Sequence, residues 1–269
     1  MELIKVGILG YSGFLGARLS NDLRYKFKIK KIKKNIQNEK KKKINILISC
    51  AGPNKFWCLK NKKKIKNETG ILAKNIINYS TENKVNKIIY FSSIHVLKNL
   101  DKDLNPYVKW HKTMEKKLLK SNLKILIIRL PNIFGEPKEI KKNFWNFFVN
   151  SIIKKSLIKK KMIINNDPLK KIYAYPLNYF VHLITKELKN NKNKIKIINL
   201  NKSFLFQTDQ LIVFIKKIMY QKNVFLKYEY KNKKIKKLNP QVTLKSEQKK
   251  FFKEEVINLL NFGKKNFND

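Results

Sequence analysis

The sequence predicts an α/β fold, a doubly wound parallel sheet followed by a smaller C-terminal α+β lobe. Three observations carry this expectation. Strand-like and helix-like segments alternate through the first half of the 269 residues, which implies parallel strands joined by right-handed crossovers. The strand-like segments are continuous apolar runs, as strands must be when helices cover both faces of a sheet. The first run, ending at Leu9, passes directly into Gly10-Tyr11-Ser12-Gly13-Phe14-Leu15-Gly16 and a helical pattern. That is the local form of a strand, a tight turn and a helix start.

The elements follow in order. Leu3–Leu9 reads as a strand, Phe14–Tyr25 as the first helix and Phe27–Ile32 as a short lysine-rich strand. Asn35–Lys43 has no apolar period and reads as a surface loop. Ile44–Cys50 is a β-branched strand ending at Ala51-Gly52-Pro53. Ile71, Leu72, Ile76 and Ile77 recur at helical spacing and predict a helix over Asn67–Glu82. Lys87–Phe91 is a strand closing on Ser92-Ser93, Tyr107–Ser121 a helix and Lys124–Arg129 another strand. After Gly135 the pattern changes. Phe144–Ile158 reads as an aromatic-rich amphipathic helix and Lys161–Asn165 as a short strand. Tyr173–Leu188 reads as a loop and helix, and Ile195–Leu200 as a strand of the second lobe. Gln207–Tyr220 and Glu247–Phe262 are helices.

Composition bounds the classes of function. An apolar content of 43% supports a full core. A net charge of +44 ordinarily points to nucleic acid or an anionic membrane. Of 62 basic residues, however, only Arg18, Arg24 and Arg129 are arginine, whereas a reader of nucleic acid exploits arginine's planar fork. The excess is lysine over solvated faces, with abundant Asn and Ile. No specific nucleic-acid partner is expected, and an RNA-associated protein stands as a rival reading. No apolar run approaches the ~18 residues that a membrane span needs. Glu2, Lys5 and the recurrent glycines are unlike a targeting peptide. Cys50 and Cys58 are too few for a disulfide framework and their spacing fits no metal site. A reduced, cytoplasmic protein without a metal is expected.

The motif chemistry begins at the glycines, four of whose eight lie within Gly7–Gly16. Gly10 permits the turn, Gly13 lets a pyrophosphate approach the backbone, and Gly16 lets the helix pack on the strand. Tyr11, Ser12, Phe14 and Leu15 complete a loop that offers backbone N–H groups at the positive end of a helix. Three further clusters fall at carboxyl ends of strands, where open α/β sheets bind ligands. They are Ala51-Gly52, Ser92-Ser93 with Tyr107 beyond, and Arg129-Leu130-Pro131-Asn132-Ile133-Phe134-Gly135. The stretch after the second strand, Lys30 to Asn35, holds no carboxylate to accept ribose hydroxyls, which favours NADP over NAD.

Together these residues resemble the extended short-chain dehydrogenase/reductases, the NAD-dependent epimerase/dehydratase family that acts mainly on nucleotide-linked sugars. Gly10, Gly13 and Gly16, Ala51-Gly52, Asn67 and Gly70 ahead of a helix, Phe91-Ser92-Ser93, Arg-x-x-Asn-x-Phe-Gly and Asn199-Leu200 each match a landmark in order. The resemblance implies a Rossmann domain over residues 1–135 and a substrate lobe over 136–269, with a soft boundary that the chain crosses. It implies an NAD(P) cofactor, a nucleotide-sugar substrate, a role in surface polysaccharide synthesis, and a homodimer built on the helix after Tyr107. It also implies that Tyr107 is the acid/base, that Ser93 holds the same substrate oxygen, and that Pro131 and Asn132 line the nicotinamide and sugar pocket. In the family a lysine four residues after the tyrosine lowers its pKa and grips the nicotinamide ribose. Here that position is His111, and Lys112 lies one position on, about 100° around the helix. His111 is expected on the ribose, and its protonated form would depress Tyr107. The departure leaves open a catalytically weakened or inactive dinucleotide-binding sensor or assembly protein of the same fold.

Overall fold

The inner strands of the first half are buried almost throughout because they lie inside a sheet covered on both faces, while the lysine-rich strand Lys28–Ile32 is exposed or half-buried over most of its length. The computed structural model describes residues 3–33, 36, 43–97, 105–138, 144–159, 161–190, 195–231 and 243–267. In order, the elements up to Pro131 are β1 (Lys5–Leu9), α1 (Phe14–Asp22), β2 (Lys28–Ile32), β3 (Ile46–Ser49), α2 (Lys55–Lys60), α3 (Ile65–Glu82), β4 (Lys87–Ser93), α4 (Pro106–Leu119) and β5 (Ile125–Leu130). There follow β6 (Ile133–Phe134), α5 (Phe148–Leu157), β7 (Met162–Ile164), β8 (Lys171–Tyr173), β9 (Tyr175–Pro176) and α6 (Leu177–Lys189). The chain closes with β10 (Ile195–Asn199), β11 (Leu205–Gln207), α7 (Thr208–Tyr220), β12 (Tyr228–Tyr230) and α8 (Ser246–Phe267). The expected loop Asn35–Lys43 lies outside the described residues except for Ile36 and Lys43.

Six strands form one sheet in the order β10-β5-β4-β3-β1-β2, every neighbouring pair parallel. The chain winds outward from β1 to β2, then returns and winds the other way through β3, β4 and β5. The reversal lies between β1 and β3, where open α/β sheets leave a crevice at the strand ends. Leu9 pairs with Ser49 and Ser49 with Tyr90, so these strand ends are in register. β4 is buried along its whole length.

The chain divides into two compact units, 1–131 with 184–200, and 132–183 with 201–269. This differs from the expected division at 135 by the segment 184–200. Ile195–Leu200, assigned from sequence to the substrate lobe, instead supplies β10, the outer strand beside β5. The physical reason is that β10 is an edge strand. Ile195 is 49% and Ile197 40% exposed, so its alternating pattern is unlike the continuous runs of the inner strands. Asn67 and Gly70 lie within α3 rather than ahead of it.

Buried lysine anchors the first unit. The Lys87 ammonium donates to the carbonyls of Glu187 (3.1 Å) and Asn190 (2.9 Å) at the end of α6. Cations belong at helix C-termini, and burial lowers the Lys87 pKa against the opposing pull of Glu187. In the second unit, α5, α7 and α8 surround three two-stranded pairings, β11 with β8, β12 with β7, and β6 with β9. Phe134, Phe204, Phe206 and Phe252 fill its interior. The fully buried Glu255 carboxylate accepts the backbone N–H groups of Glu136 (2.8 Å) and Asn178 (3.0 Å).

Candidate coenzyme site

The turn after β1 is shaped by the chain's own contacts at two of its glycines. Gly10 has φ +80°, and a Cβ there would lie 2.8 Å from the Ala51 backbone nitrogen. A Cβ on Gly16 would lie 2.2 Å from the Gly10 carbonyl oxygen. Gly13 is different. It caps α1 in an ordinary extended conformation (φ −80°, ψ 168°), and its Cβ would meet only the Gly10 oxygen, at 3.3 Å. That contact is tight but asks a shift of only a few tenths of an ångström, so internal packing constrains Gly13 far less than Gly10 or Gly16. Gly13 leaves backbone open at a helix start whose first turn carries no acidic residue, the surroundings an anionic pyrophosphate requires. Ser12 is exposed, Tyr11, Phe14 and Leu15 partly so, and the Tyr11 ring lies 5.5 Å from the Lys31 ammonium.

A chain of contacts leads from this turn along the strand ends of the same unit. Ala51 abuts Gly10, and a Cβ on Gly52 would sit 3.7 Å from Trp110 Nε1 on α4. The Trp110 indole meets Trp57 edge-on at 6.4 Å. α4 starts where the sequence dictates, with Pro106 in its first turn and the Asn105 side chain accepting the Tyr107 N–H at 3.0 Å. Tyr107 and His111, one turn apart, pack edge to face at 4.6 Å. His111 Nδ1 lies 2.8 Å from the Tyr90 hydroxyl of β4.

The electrostatics overturn one expectation. His111 is 6% exposed, and burial, aided by His95, drives its pKa down to about 3. A neutral imidazole cannot depress Tyr107 as a lysine cation would. Burial raises the Tyr107 pKa above its ordinary value, with a hydrogen bond from Ser93 opposing that rise. The Ser93 oxygen also accepts the His95 N–H at 3.3 Å. Tyr107 thus keeps its proton at neutral pH. Among the described residues, buried His111 Nε2 and Ser92 Oγ have no hydrogen-bond partner. Buried polar atoms are rarely left so, and both fit a polar ligand. An open Gly13 and these orphaned groups together fit a dinucleotide.

Sequence reading did not find several residues that build this corner. Tyr90 is concealed in a fully apolar run, and Trp57 and Trp110 carry no spacing signal. Arg129 spends its guanidinium on Glu115 of α4, through Nε to Oε1 (3.0 Å) and Nη2 to Oε2 (2.6 Å), and reaches Asn199 at 3.4 Å. It therefore ties α4 to β5 and β10. Pro131 closes the first unit and Asn132 opens the second, where the Asn132 carbonyl accepts the Tyr175 N–H at 2.9 Å. Lys33, after β2, is exposed, while Lys34, Asn35 and Glu39 lie outside the described residues. Cys50 and Cys58 are free thiols, and burial raises both pKa values, that of Cys58 to about 11.

A family described as NAD(P)H-binding matches residues 36–146. No curated protein sequence matches the chain. Among solved structures, the chain is similar to the UDP-N-acetylglucosamine 4-epimerase of Methanobrevibacter ruminantium in complex with UDP-N-acetylmuramic acid. The TM-score is 0.77 at 15% identity, over 99% of this chain and 100% of that one. That likeness is one of fold, a parallel α/β sheet of the Rossmann type. The UDP-glucuronic acid 4-epimerase of Bacillus cereus in complex with NAD is similar at TM-score 0.70 and 13% identity, over 98% of each chain. RMD of Pseudomonas aeruginosa, complexed with NADPH, is similar at TM-score 0.70 and 13% identity, over 96% of this chain and 99% of that one. Among the described residues, no helix is long and apolar enough to cross a membrane.

Proposed function

We propose that this protein is a cytoplasmic NAD(P)-dependent oxidoreductase or epimerase of a nucleotide-linked sugar, serving surface polysaccharide synthesis. The observation that carries the reading is the open Gly13 at the start of α1, joined through Ala51, Gly52 and Trp110 to orphaned His111 Nε2 and to the Tyr107–Ser93 pair. The solved structures with the same fold include complexes with UDP-sugars, NAD and NADPH. A bound nicotinamide would give or take hydride at a sugar carbon. Tyr107 would hold or deliver the proton at the sugar oxygen, and Ser93 would fix that oxygen by hydrogen bond. Gly10, Gly13 and Gly16 would seat the pyrophosphate, and Pro131 and Asn132 keep the role the resemblance gives them. NADP is preferred, because no carboxylate follows β2 among the described residues to meet a ribose diol.

Titration with NAD(H) and NADP(H), followed through the tryptophan fluorescence, tests this. Saturable binding below millimolar, tighter for the NADP pair, is expected; a folded protein indifferent to all four overturns the reading. The neutral His111 favours a second reading, a dinucleotide-binding protein with little or no turnover. Tyr107→Phe separates the two, since only an enzyme loses rate while coenzyme affinity stays. We place the homodimer contact on α3 and α4, whose outer faces hold a groove of about 800 Å³ floored by Gly70, Ile71, Ala73 and Ile77 and edged by lysines. Facing lysines repel, so association should strengthen as salt screens them, whereas RNA binding would weaken steeply with salt.

A further inference from the structure

We propose that Tyr90 is a positioning residue that locks His111 in the Nε2–H tautomer, so that the imidazole offers an uncharged donor to a ribose hydroxyl of the coenzyme. This rests on the coenzyme reading above and goes beyond it by assigning a role to a residue outside the resemblance. The ribose grip and the tuning of the tyrosine, which one lysine performs in the enzymes this chain resembles, are here separated.

The tautomer follows from counting buried hydrogen-bonding groups. A neutral imidazole has one N–H donor and one bare acceptor nitrogen. The Tyr90 hydroxyl and His111 Nδ1 lie 2.8 Å apart, with both side chains buried. If Nδ1 carried the proton, it would donate to the phenol oxygen. The Tyr90 hydroxyl proton would then lack an acceptor and Nε2 would be a buried, unused acceptor. With the proton on Nε2, Tyr90 donates to Nδ1 and a single group, the Nε2–H, is left over. Each buried group left unpaired costs free energy, so the second arrangement holds. Trp110 bears on the Tyr90 oxygen as a donor and lowers a pKa that burial raises, although its Nε1 makes no formed hydrogen bond. That leaning also keeps the phenol proton on the His111 side.

The leftover Nε2–H is the informative group. It is buried, unpartnered among the described residues, and one helical turn beyond Tyr107 on the same face of α4. An imidazole held neutral, with Nε2 protonated, can donate to a ligand oxygen that reaches this buried nitrogen. It keeps that state across the physiological range, so the grip does not switch with pH.

Nitrogen-15 NMR of the imidazoles in the coenzyme-free protein decides the tautomer. The chain has three histidines, and the signal lost in a His111→Ala variant assigns the site. A protonated Nε2 and bare Nδ1 between pH 5 and 8 are expected; a protonated Nδ1, or an imidazolium at pH 7, overturns the proposal. For the second step, Tyr90→Phe should weaken coenzyme binding roughly fivefold when His111 is present. It should have no effect in the His111→Ala background, a coupling that a merely structural Tyr90 would not show. Equal losses in both backgrounds, or none in either, overturn the role of Tyr90. The NMR result stands without coenzyme, so a chain that ignores both coenzymes fails the functional reading and leaves the tautomer measured. Should Tyr90→Phe fail to fold, the tautomer of the unaltered protein decides.

Discussion

The glycine turn after β1 and the tyrosine end of α4 belong to the carboxyl end of the same sheet but meet different demands. The turn works through backbone alone: at Gly10 and Gly16 other atoms of the chain occupy the space of a Cβ, while Gly13 meets only the Gly10 oxygen, at 3.3 Å. Its fitness does not depend on any ionisable side chain. The tyrosine end depends on charge, and there burial keeps the His111 ring neutral. On the proposed function, coenzyme binding and chemistry therefore rest on separate parts of the unit and can be broken separately.

The largest expected effect breaks that comparison at the turn. Gly13→Val asks the Gly10 carbonyl to give by a few tenths of an ångström and should still fold, but coenzyme affinity should fall by roughly a hundredfold or more as the anion loses its approach. Gly16→Val, with its Cβ 2.2 Å from the Gly10 oxygen, should instead lower the melting temperature markedly. Fluorescence titration beside circular dichroism distinguishes them, and equal affinity for Gly13→Val would refute the cradle.

Next in size is the tyrosine. Tyr107→Phe should cost about 10²–10⁴ in turnover, the usual worth of a general acid or base, with the coenzyme dissociation constant unchanged within about twofold. Steady-state rates and titration of the same preparation read both.

The pH profile sharpens the contrast further. Burial raises the Tyr107 pKa above its ordinary value, so its basic form is a minor species throughout the neutral range. Turnover in the direction that needs a base, alcohol oxidation, should climb roughly tenfold per unit from pH 7 to 9. Carbonyl reduction, which uses the protonated form, should be level over that span. A bell centred near pH 7 in the oxidative direction would contradict a neutral His111. His111→Lys should move the oxidative rise to lower pH.

A further effect concerns stability. The folded pKa of His111 lies below its unfolded value, so the unfolded chain binds the extra proton as pH falls. The contribution is fully present above about pH 6.5 and is lost progressively toward pH 3. It amounts to about 3 kcal/mol between pH 7 and 4. Denaturant unfolding at pH 7, 5 and 4 should show that slope, and His111→Leu should flatten it.

The sheet and the turn were legible because their signals are local. Continuous apolar runs and the glycines between Leu9 and Phe14, one of which takes φ +80°, are each readable within a few residues. Missed features depend on distant pairings. β10 looked like a lobe strand because an edge strand exposes alternate residues. Arg129 looked available until Glu115, 14 residues earlier, proved to hold it. His111 looked like a replacement cation because a sequence does not reveal how much water surrounds a ring.

Residue order by itself settled the α/β class, the strand-turn-helix start and the missing lysine after Tyr107, since these rest on backbone geometry and covalent spacing. Only the folded chain decided the charge of His111, its pairing with Tyr90 and the protonation of Tyr107. Desolvation and hydrogen bonding belong to groups brought together from separate elements, and each acts over a few ångströms of space rather than a few positions of sequence.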